Sequence, residues 1–418
     1  MHPRNPYNVQ VNFDALSDAY PPLRKHLSGS KRIIDFKNDA SLRCLTQALL
    51  HRDFKLSLEL PDDRLCPPVP NRLNYVLWIE DIIATQPSRD VKGVDIGTGA
   101  SAIYPLLACS RNPSWAFVAT ELDDFSLKYA KENVTLNTLD GRIHTLKATT
   151  SGHILPMDAL SNEPIDFTMC NPPFYASLEE VKRSAEGKAL EPNAACTGAP
   201  VEMITAGGEA EFVGRMVKES VQHGTRCRWY TSMLGMLSSV THVVGVIKEH
   251  NITNYAITEF IQGQTRRWAV GWSFTNERLP DSISRISNPG LRPLMPPHNT
   301  IRQQVSSTDC VQGVFDSMSG IHITKEGERS VVVTAQANTW TRSARRKRKN
   351  VDTQMKVDTD GQRDSEGELR AEPALVCAVE LVTTGNLSEV VFHWRKGAER
   401  NLFESFCSHI SRKLVSRE

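Results

Sequence analysis

The chain reads as an α/β protein built on a Rossmann-like, doubly wound parallel sheet, with a helical module before it and a small α+β unit after it. Three observations predict this. Strand-like and helix-like apolar patterns alternate over residues 72–275, as in a parallel sheet covered by helices. The run Val91-Lys92-Gly93-Val94-Asp95-Ile96 enters a turn, Gly97-Thr98-Gly99-Ala100-Ser101, and then the apolar Ile103-Tyr104-Pro105-Leu106-Leu107: strand, glycine turn, helix. A second run, Trp115 to Thr120, ends on the acidic Glu121, about 20 residues beyond the glycines, where a carboxylate can accept hydrogen bonds from ribose hydroxyls.

The elements follow in order. Residues 1–75 form the helical N-terminal module. Leu42, Leu45, Ala48 and Leu49 have helical spacing, and Phe54 to Leu60 alternates as a strand does. Pro61, Pro67, Pro68 and Pro70 mark a loop, after which Arg72-Leu73-Asn74-Tyr75 opens a helix through Ile83. The sheet domain is placed at 76–275. Within it, Phe125 to Asn137 is helical, Leu155 to Leu160 a short strand, and Ile165 to Cys170 another. Residues 176–210 lack periodicity and read as a long substrate-side loop. A helix at 211–223, a strand from Cys227 to Leu234, and a hairpin of Tyr255–Phe260 with Arg267–Phe274 complete the domain.

Residues 276–312 are rich in Pro, Ser and Asn and read as a linker. The remainder, 313–418, has strands at Ser330–Ala335, Ala374–Val382 and Ser388–His393 and an amphipathic helix from Glu399 to Val415. Its insertion, 350–373, is polar and aperiodic and reads as disordered.

Composition excludes several classes. No apolar run reaches the length of a membrane span. The nine cysteines are scattered, with no Cys-x-x-Cys pair, which argues against a zinc site or a disulfide framework. The net charge is only +1, but positive charge is clustered. Arg345-Arg346-Lys347-Arg348-Lys349 is a dense basic run, and Lys31-Arg32 and Arg266-Arg267 are further candidate phosphate contacts.

The chemistry-bearing motif is Asn171-Pro172-Pro173-Phe174, directly after an apolar strand. The prolines cannot donate to a ladder, so the strand stops there. The Asn171 amide offers an acceptor, and the Phe174 ring a face on which a base can stack. That combination suits gripping a planar exocyclic amine while it is alkylated. Together with the glycine turn it predicts an adenosylmethionine-dependent methyltransferase domain, with no metal. Candidate cofactor-binding residues are Asp95, Gly97, Gly99, Ser101 and Glu121, with Asp158 as a possible contact for the adenine. Two other readings remain open on the residues alone: an amine methyltransferase acting on DNA adenine or protein glutamine, and a catalytically silent RNA-binding protein.

Asn71-Arg72-Leu73-Asn74-Tyr75, Gly93 to Ser101, Thr120-Glu121, Cys170 to Phe174, Ala206-Gly207-Gly208-Glu209 and Arg267-Trp268-Ala269 resemble the adenine-N6 methyltransferases of U6 small nuclear RNA (methyltransferase-like protein sixteen in animals). A bacterial 23S ribosomal RNA methyltransferase is a distant relative of that family. The resemblance covers residues 1 to about 275. It implies a class I methyltransferase fold, S-adenosyl-L-methionine as cofactor and an enzyme of the nucleus, with the cytoplasm as a further location, acting on structured RNA, U6 foremost, with messenger-RNA hairpins of adenosylmethionine synthetase as further targets. It adds Arg72 and Asn171 to the cofactor contacts, Asn171 serving both ligands, and Arg4 to the RNA contacts. It further implies that the C-terminal unit is a kinase-associated-1-like domain that assists RNA binding.

Overall fold

The computed structural model describes the chain apart from residues 30–31, 86–89, 150–151, 161–162, 183–197, 264, 306–310, 342–343, 345, 347–371, 385–386 and 416–418. Its contacts divide it into two compact units, one of residues 1–275 with 285–296, the other of 276–284 with 297–418. The break after Thr275 coincides with the sequence expectation, whereas those expected after residues 75 and 312 have no counterpart in this division.

The first unit opens with helix α1 (Phe13–Ala19), a two-stranded ribbon of β1 (Leu27–Ser28) and β2 (Ile33–Ile34), and helix α2 (Asp39–Leu49). Helix α3 (Val69–Ala84) follows, buried along almost its whole length. A boundary at residue 75 would cut α3, so the N-terminal residues belong to the same compact unit as the sheet. Residues 54–60 are not a strand, although Phe54, Leu56 and Leu58 are buried in alternation. Two asparagines one helical turn apart supply the pairing that a neighbouring strand would. In helix α5 (Asp124–Leu136), Asn133 exchanges hydrogen bonds with the Glu59 backbone, and Asn137, its C-cap, does so with Ser57, all at 2.8 Å. The period-2 pattern reported an extended, half-buried backbone and could not report what satisfied it.

The central sheet has seven strands in the order β5-β4-β3-β6-β7-β9-β8. They are β3 (Val91–Ile96), β4 (Trp115–Glu121), β5 (Ile143–Lys147), β6 (Ile165–Cys170), β7 (Cys227–Leu234), β8 (Asn254–Gln262) and β9 (Thr265–Ser273). The first five are parallel. The closing hairpin pairs antiparallel, so the sheet is mixed, not wholly parallel. Strand order reverses between β3 and β6, and in such sheets the crevice beyond the carboxyl ends at that point is where ligands bind.

Packing at the sheet centre leaves no latitude. A Cβ on Gly93 would lie 2.6 Å from Phe167 and 2.7 Å from Phe117, two rings that meet edge to face. Gly93→Ala is therefore expected to destabilise the unit by about 1–3 kcal/mol through overpacking, read as a lower urea midpoint at unchanged slope.

The second unit is a five-stranded antiparallel sheet in the order β10-β14-β13-β12-β11. Its strands are β10 (Thr300–Val305), β11 (Ile321–Lys325), β12 (Ser330–Ala335), β13 (Leu375–Thr384) and β14 (Leu387–Lys396). The Arg400–Val415 helix packs on it through Phe403, Phe406 and Ile410, each fully buried. The stretch expected as a linker, 276–312, is thus structured: it contributes β10 and short helices at Asp281–Ser284 and Pro289–Leu294. Arg278 shows how its polar composition misleads. The guanidinium lies 4.3 Å from the Trp394 ring centre and donates twice to the Gly397 carbonyl, so a cation here serves as a packing residue. The expected disordered insertion falls, apart from residues 372–373, outside the described residues.

Candidate active site

The glycine turn leaves β3 with Gly97 and Gly99 at φ 71° and 64°, a region that residues with a Cβ enter only at a cost. The turn is held from beneath and from the side. The Thr98 hydroxyl donates to Asp95 Oδ2 at 2.7 Å, and the Thr98 N–H to the Thr120 carbonyl at 2.8 Å. The Gly99 N–H donates to Glu121 Oε2 at 2.8 Å, while Glu121 Oε1 accepts from the N–H groups of Leu122 and Asp123. Three donors fill three of the roughly four acceptor positions of a carboxylate, which fixes Glu121 and leaves it able to accept one more.

Asn171, at the end of β6, faces this turn. Its Oδ1 accepts from Arg72 Nη1 at 3.1 Å, and the same nitrogen reaches the Tyr104 hydroxyl at 3.2 Å. The strand end is pinned from below, where the Cys170 N–H donates to the buried Tyr75 hydroxyl, itself bonded to Thr231. Arg72 lies almost fully buried against the Tyr104 ring. The sequence offered no signal for Tyr104, an apolar-looking position in the first turn of helix α4 (Ile103–Arg111).

Two adjoining cavities result. One, of about 300 Å³, is lined by Arg72, Gly97, Gly99, Ser101 and Glu121 and, across from them, Asn171, Pro172 and Pro173. The other, of about 760 Å³, is lined by Phe174, Arg267, Arg72 and apolar residues of the N-terminal helices. Leu65 and Arg72 line both. The tetrapeptide therefore divides its residues: three on one cavity, the aromatic ring on the other.

Further carboxylates hold these walls, and periodicity missed them because each reaches at least one backbone segment far away in sequence, Glu202 that of Leu65 and Glu209 that of Gly235 and Met236. Glu202 Oε2 accepts from the N–H groups of Leu65 and Ala199, both at 3.0 Å. Glu209, fully buried, accepts from Gly235 and Met236, and Gly235 lies against the Phe174 ring. Burial pushes both carboxyls above the usual range. Part of the expected long loop at 176–210 is thus ordered over the glycine turn, including the Pro200–Met203 helix; residues 183–197 lie outside the described residues.

Other expected residues are placed elsewhere. Asp158 is exposed in a short 3-10 helix, Met157–Ala159, not at a strand end, and does not line the cavity. Pro156 and a short run left too little chain for a strand. Asp95 lies beneath the turn without lining it. Arg4 is committed to Glu80 and Asp81, Arg32 to Asp14, and Arg266 to Glu259. Arg267 lies 5.6 Å from the Phe174 ring centre. Arg346 is exposed in the second unit. Lys31, Arg345, Lys347, Arg348 and Lys349 lie outside the described residues.

The family model described as an RNA methyltransferase matches residues 1–276. The chain belongs to this RNA methyltransferase family. Over 463 aligned residues it is 33% identical to the zebrafish (Danio rerio) RNA N(6)-adenosine-methyltransferase mettl16, covering 99% of this chain and 97% of that protein. It is 35% identical over 391 residues to the Schizosaccharomyces pombe U6 small nuclear RNA (adenine-(43)-N(6))-methyltransferase, covering 91% and 95%. Among solved structures, the human METTL16 catalytic domain in complex with MAT2A 3′UTR hairpin 1 superposes with a TM-score of 0.63 at 40% identity, covering 69% of this chain and 99% of that one. The human N-terminal domain in complex with SAH superposes with a TM-score of 0.55 at 39% identity, covering 66% and 98%.

S-adenosyl-L-methionine, the cofactor of this methyltransferase family, can be tested against the residues present. Asp95 is fully buried, and its Oδ1 has no partner. Burial, aided by the negative charge of Glu121, pushes its carboxyl up to about 7. Asp95 does not line the cavity, so a ligand acts on it through space, and a cation bound above the glycine turn is the kind that this poorly solvated carboxyl favours. Such a ligand favours the carboxylate, so protonation of Asp95 competes with binding. Cofactor affinity is therefore expected to be highest above pH 7 and to fall as pH drops through that value, by up to about tenfold per unit. Calorimetry between pH 5.5 and 8.5 measures it, and a flat profile contradicts it.

Proposed function

We propose that this chain transfers a methyl group from S-adenosyl-L-methionine to the exocyclic N6 amine of an adenosine in structured RNA, with U6 small nuclear RNA as its principal substrate. The observation that carries the site assignment is the division of Asn171-Pro172-Pro173-Phe174 between two cavities that meet at Arg72. A cofactor would lie on the side of the glycine turn and Glu121, and the acceptor base on the side of Phe174. When bound, the cofactor supplies an activated methyl group on sulfur.

The chain's own residues then do the rest. The amine is a weak nucleophile because its lone pair is delocalised into the purine. The Asn171 side-chain oxygen and the Pro172 carbonyl would accept its two N–H groups, turning the lone pair toward the incoming methyl group and stabilising the positive charge that develops on nitrogen; one of the two protons then passes to water, which leaves the neutral methylamine. These are dipoles aimed in advance, the inverse of an oxyanion hole. Arg72, bonded to Asn171 Oδ1, holds the amide oxygen toward the site; a carbonyl oxygen has a second lone pair for the amine. Phe174 stacks on the base, contributing ~1–3 kcal/mol. The target base enters from single-stranded RNA or is flipped out.

The test is transfer of labelled methyl to a U6 transcript, with nucleoside analysis for N6-methyladenosine and with DNA and protein acceptors in parallel. Labelled DNA or protein with unlabelled RNA would overturn the reading.

The arrangement of the first unit, with its glycine turn and strand-end carboxylate, supports assignment to class I. The second unit, a five-stranded sheet under one long helix, reads as a kinase-associated-1-like domain that grips the RNA backbone. A U6 substrate supports a location in the nucleus, with the cytoplasm as a further one, and hairpins like that of the human complex are a second substrate class. Truncation after Pro296 is expected to weaken U6 binding and to flatten its dependence on salt, while leaving cofactor affinity unchanged. The cut falls before β10 because that strand belongs to the second sheet. An unchanged salt slope rejects the second unit as an RNA grip.

A further inference from the structure

The larger cavity carries two acceptors that the mechanism does not use. Asn71 is 8% exposed, and its Oδ1 has no partner. Asp39, at the start of α2, likewise has a buried Oδ1 without a partner. Both residues line the cavity that also takes in the Phe174 ring. A buried acceptor left unmatched is destabilising, and two in one cavity point to donors on whatever fills it.

Adenine cannot be that source. Its base carries a single amine with two N–H groups, and both are held by Asn171 and Pro172 in the mechanism above. Its ring nitrogens are acceptors in the substrate nucleoside, so they repel further acceptors. A phosphate is excluded too, since it brings only acceptors and negative charge toward the Asp39 carboxylate. What remains on an RNA strand is a ribose 2′-hydroxyl or the N–H groups of another base, guanine in particular. At about 760 Å³ the cavity lies in the upper range of ligand pockets, and Phe36, Ile33 and Val9 offer it exposed apolar surface on which a second nucleotide can lie.

We propose that Asn71 and Asp39 are specificity-determining residues, whose side-chain oxygens accept hydrogen bonds from donor groups of the RNA other than the target amine. The inference rests on the RNA adenine methylation proposed above. It makes the cavity selective for RNA, or for a particular neighbouring base, through buried acceptors that an RNA lacking the donor would leave unpaired. Sites of that kind discriminate far more strongly than apolar pockets do.

The experiment uses the full chain and U6 transcripts in three forms: unmodified, with 2′-deoxyadenosine at the methylated position, and with single guanosines around it replaced by inosine, which lacks the 2-amine. Wild type, Asn71→Leu, Asn71→Ala and Asp39→Ala are compared by kcat/KM, with cofactor affinity and thermal midpoint as checks on folding. Wild type is expected to lose at least tenfold on one modified RNA. The variant lacking the matching acceptor is expected to lose a similar factor on unmodified RNA and nothing further on that modified one. Deoxyadenosine or inosine sensitivity identifies which donor is read. Losses that multiply, or a wild type indifferent to every modification, overturn the proposal. A wild type that methylates no U6 adenosine overturns the functional reading beneath it, which is a different result from methylation without coupling.

Discussion

Asn171→Ala is expected to lower turnover by roughly 10²–10³-fold, the loss seen when one aimed dipole is removed from a preorganised site. The side chain is small and lies at a strand end, and its hydrogen-bond partner, Arg72, retains the Tyr104 hydroxyl. The variant should therefore fold, with Arg72 held from one side. Its loss belongs to kcat more than to KM, because the interaction strengthens as charge develops on the amine. Single-turnover methylation of a U6 transcript at saturating cofactor measures it. Near-normal transfer would remove Asn171 from the chemistry.

Glu121→Ala is the second large effect, and it acts on the cofactor. Besides leaving a ribose hydroxyl without an acceptor, the change strips the Gly99, Leu122 and Asp123 N–H groups of theirs. Hydrogen bonds to a charged group contribute about 1.5–3 kcal/mol each, so affinity for adenosylmethionine is expected to fall by about 10²-fold. The turn itself should loosen, because Gly99 sits at positive φ and relies on that carboxylate. Glu121→Gln separates the two roles. Its amide oxygen, placed where Oε1 stands, keeps the Leu122 and Asp123 contacts, while its NH₂ must face the Gly99 N–H, so a smaller loss of both stability and affinity is expected. Titration calorimetry and thermal unfolding on both variants report the two effects. Unaltered affinity in Glu121→Ala would exclude it from the cofactor site.

Much of the first unit was legible because its signals are local. Gly97 and Gly99 announce a turn that side chains would strain, and the prolines after Asn171 announce the end of β6. The misreadings share a cause. Residues 54–60 alternate in burial but are paired by Asn133 and Asn137, which stand some 75 positions away. Residues 276–312 look like a linker by composition, yet include an edge strand whose pairing with β14 lies about 90 residues further on. Asp158 has the residue type and spacing of a strand end, but its short apolar run forms no strand.

Residue order alone thus determined which chemical groups this protein owns: a strained glycine turn, a carboxylate beyond it, and an amide, two prolines and a ring in immediate succession. Each is specified within a few residues by steric and hydrogen-bonding limits of the backbone. Only the tertiary structure decided how they are shared. Arg72 at the meeting of two cavities, Glu202 and Glu209 bracing the walls, and Asn71 and Asp39 left with unmatched oxygens all depend on side chains brought together from distant segments, and no local pattern carries such contacts.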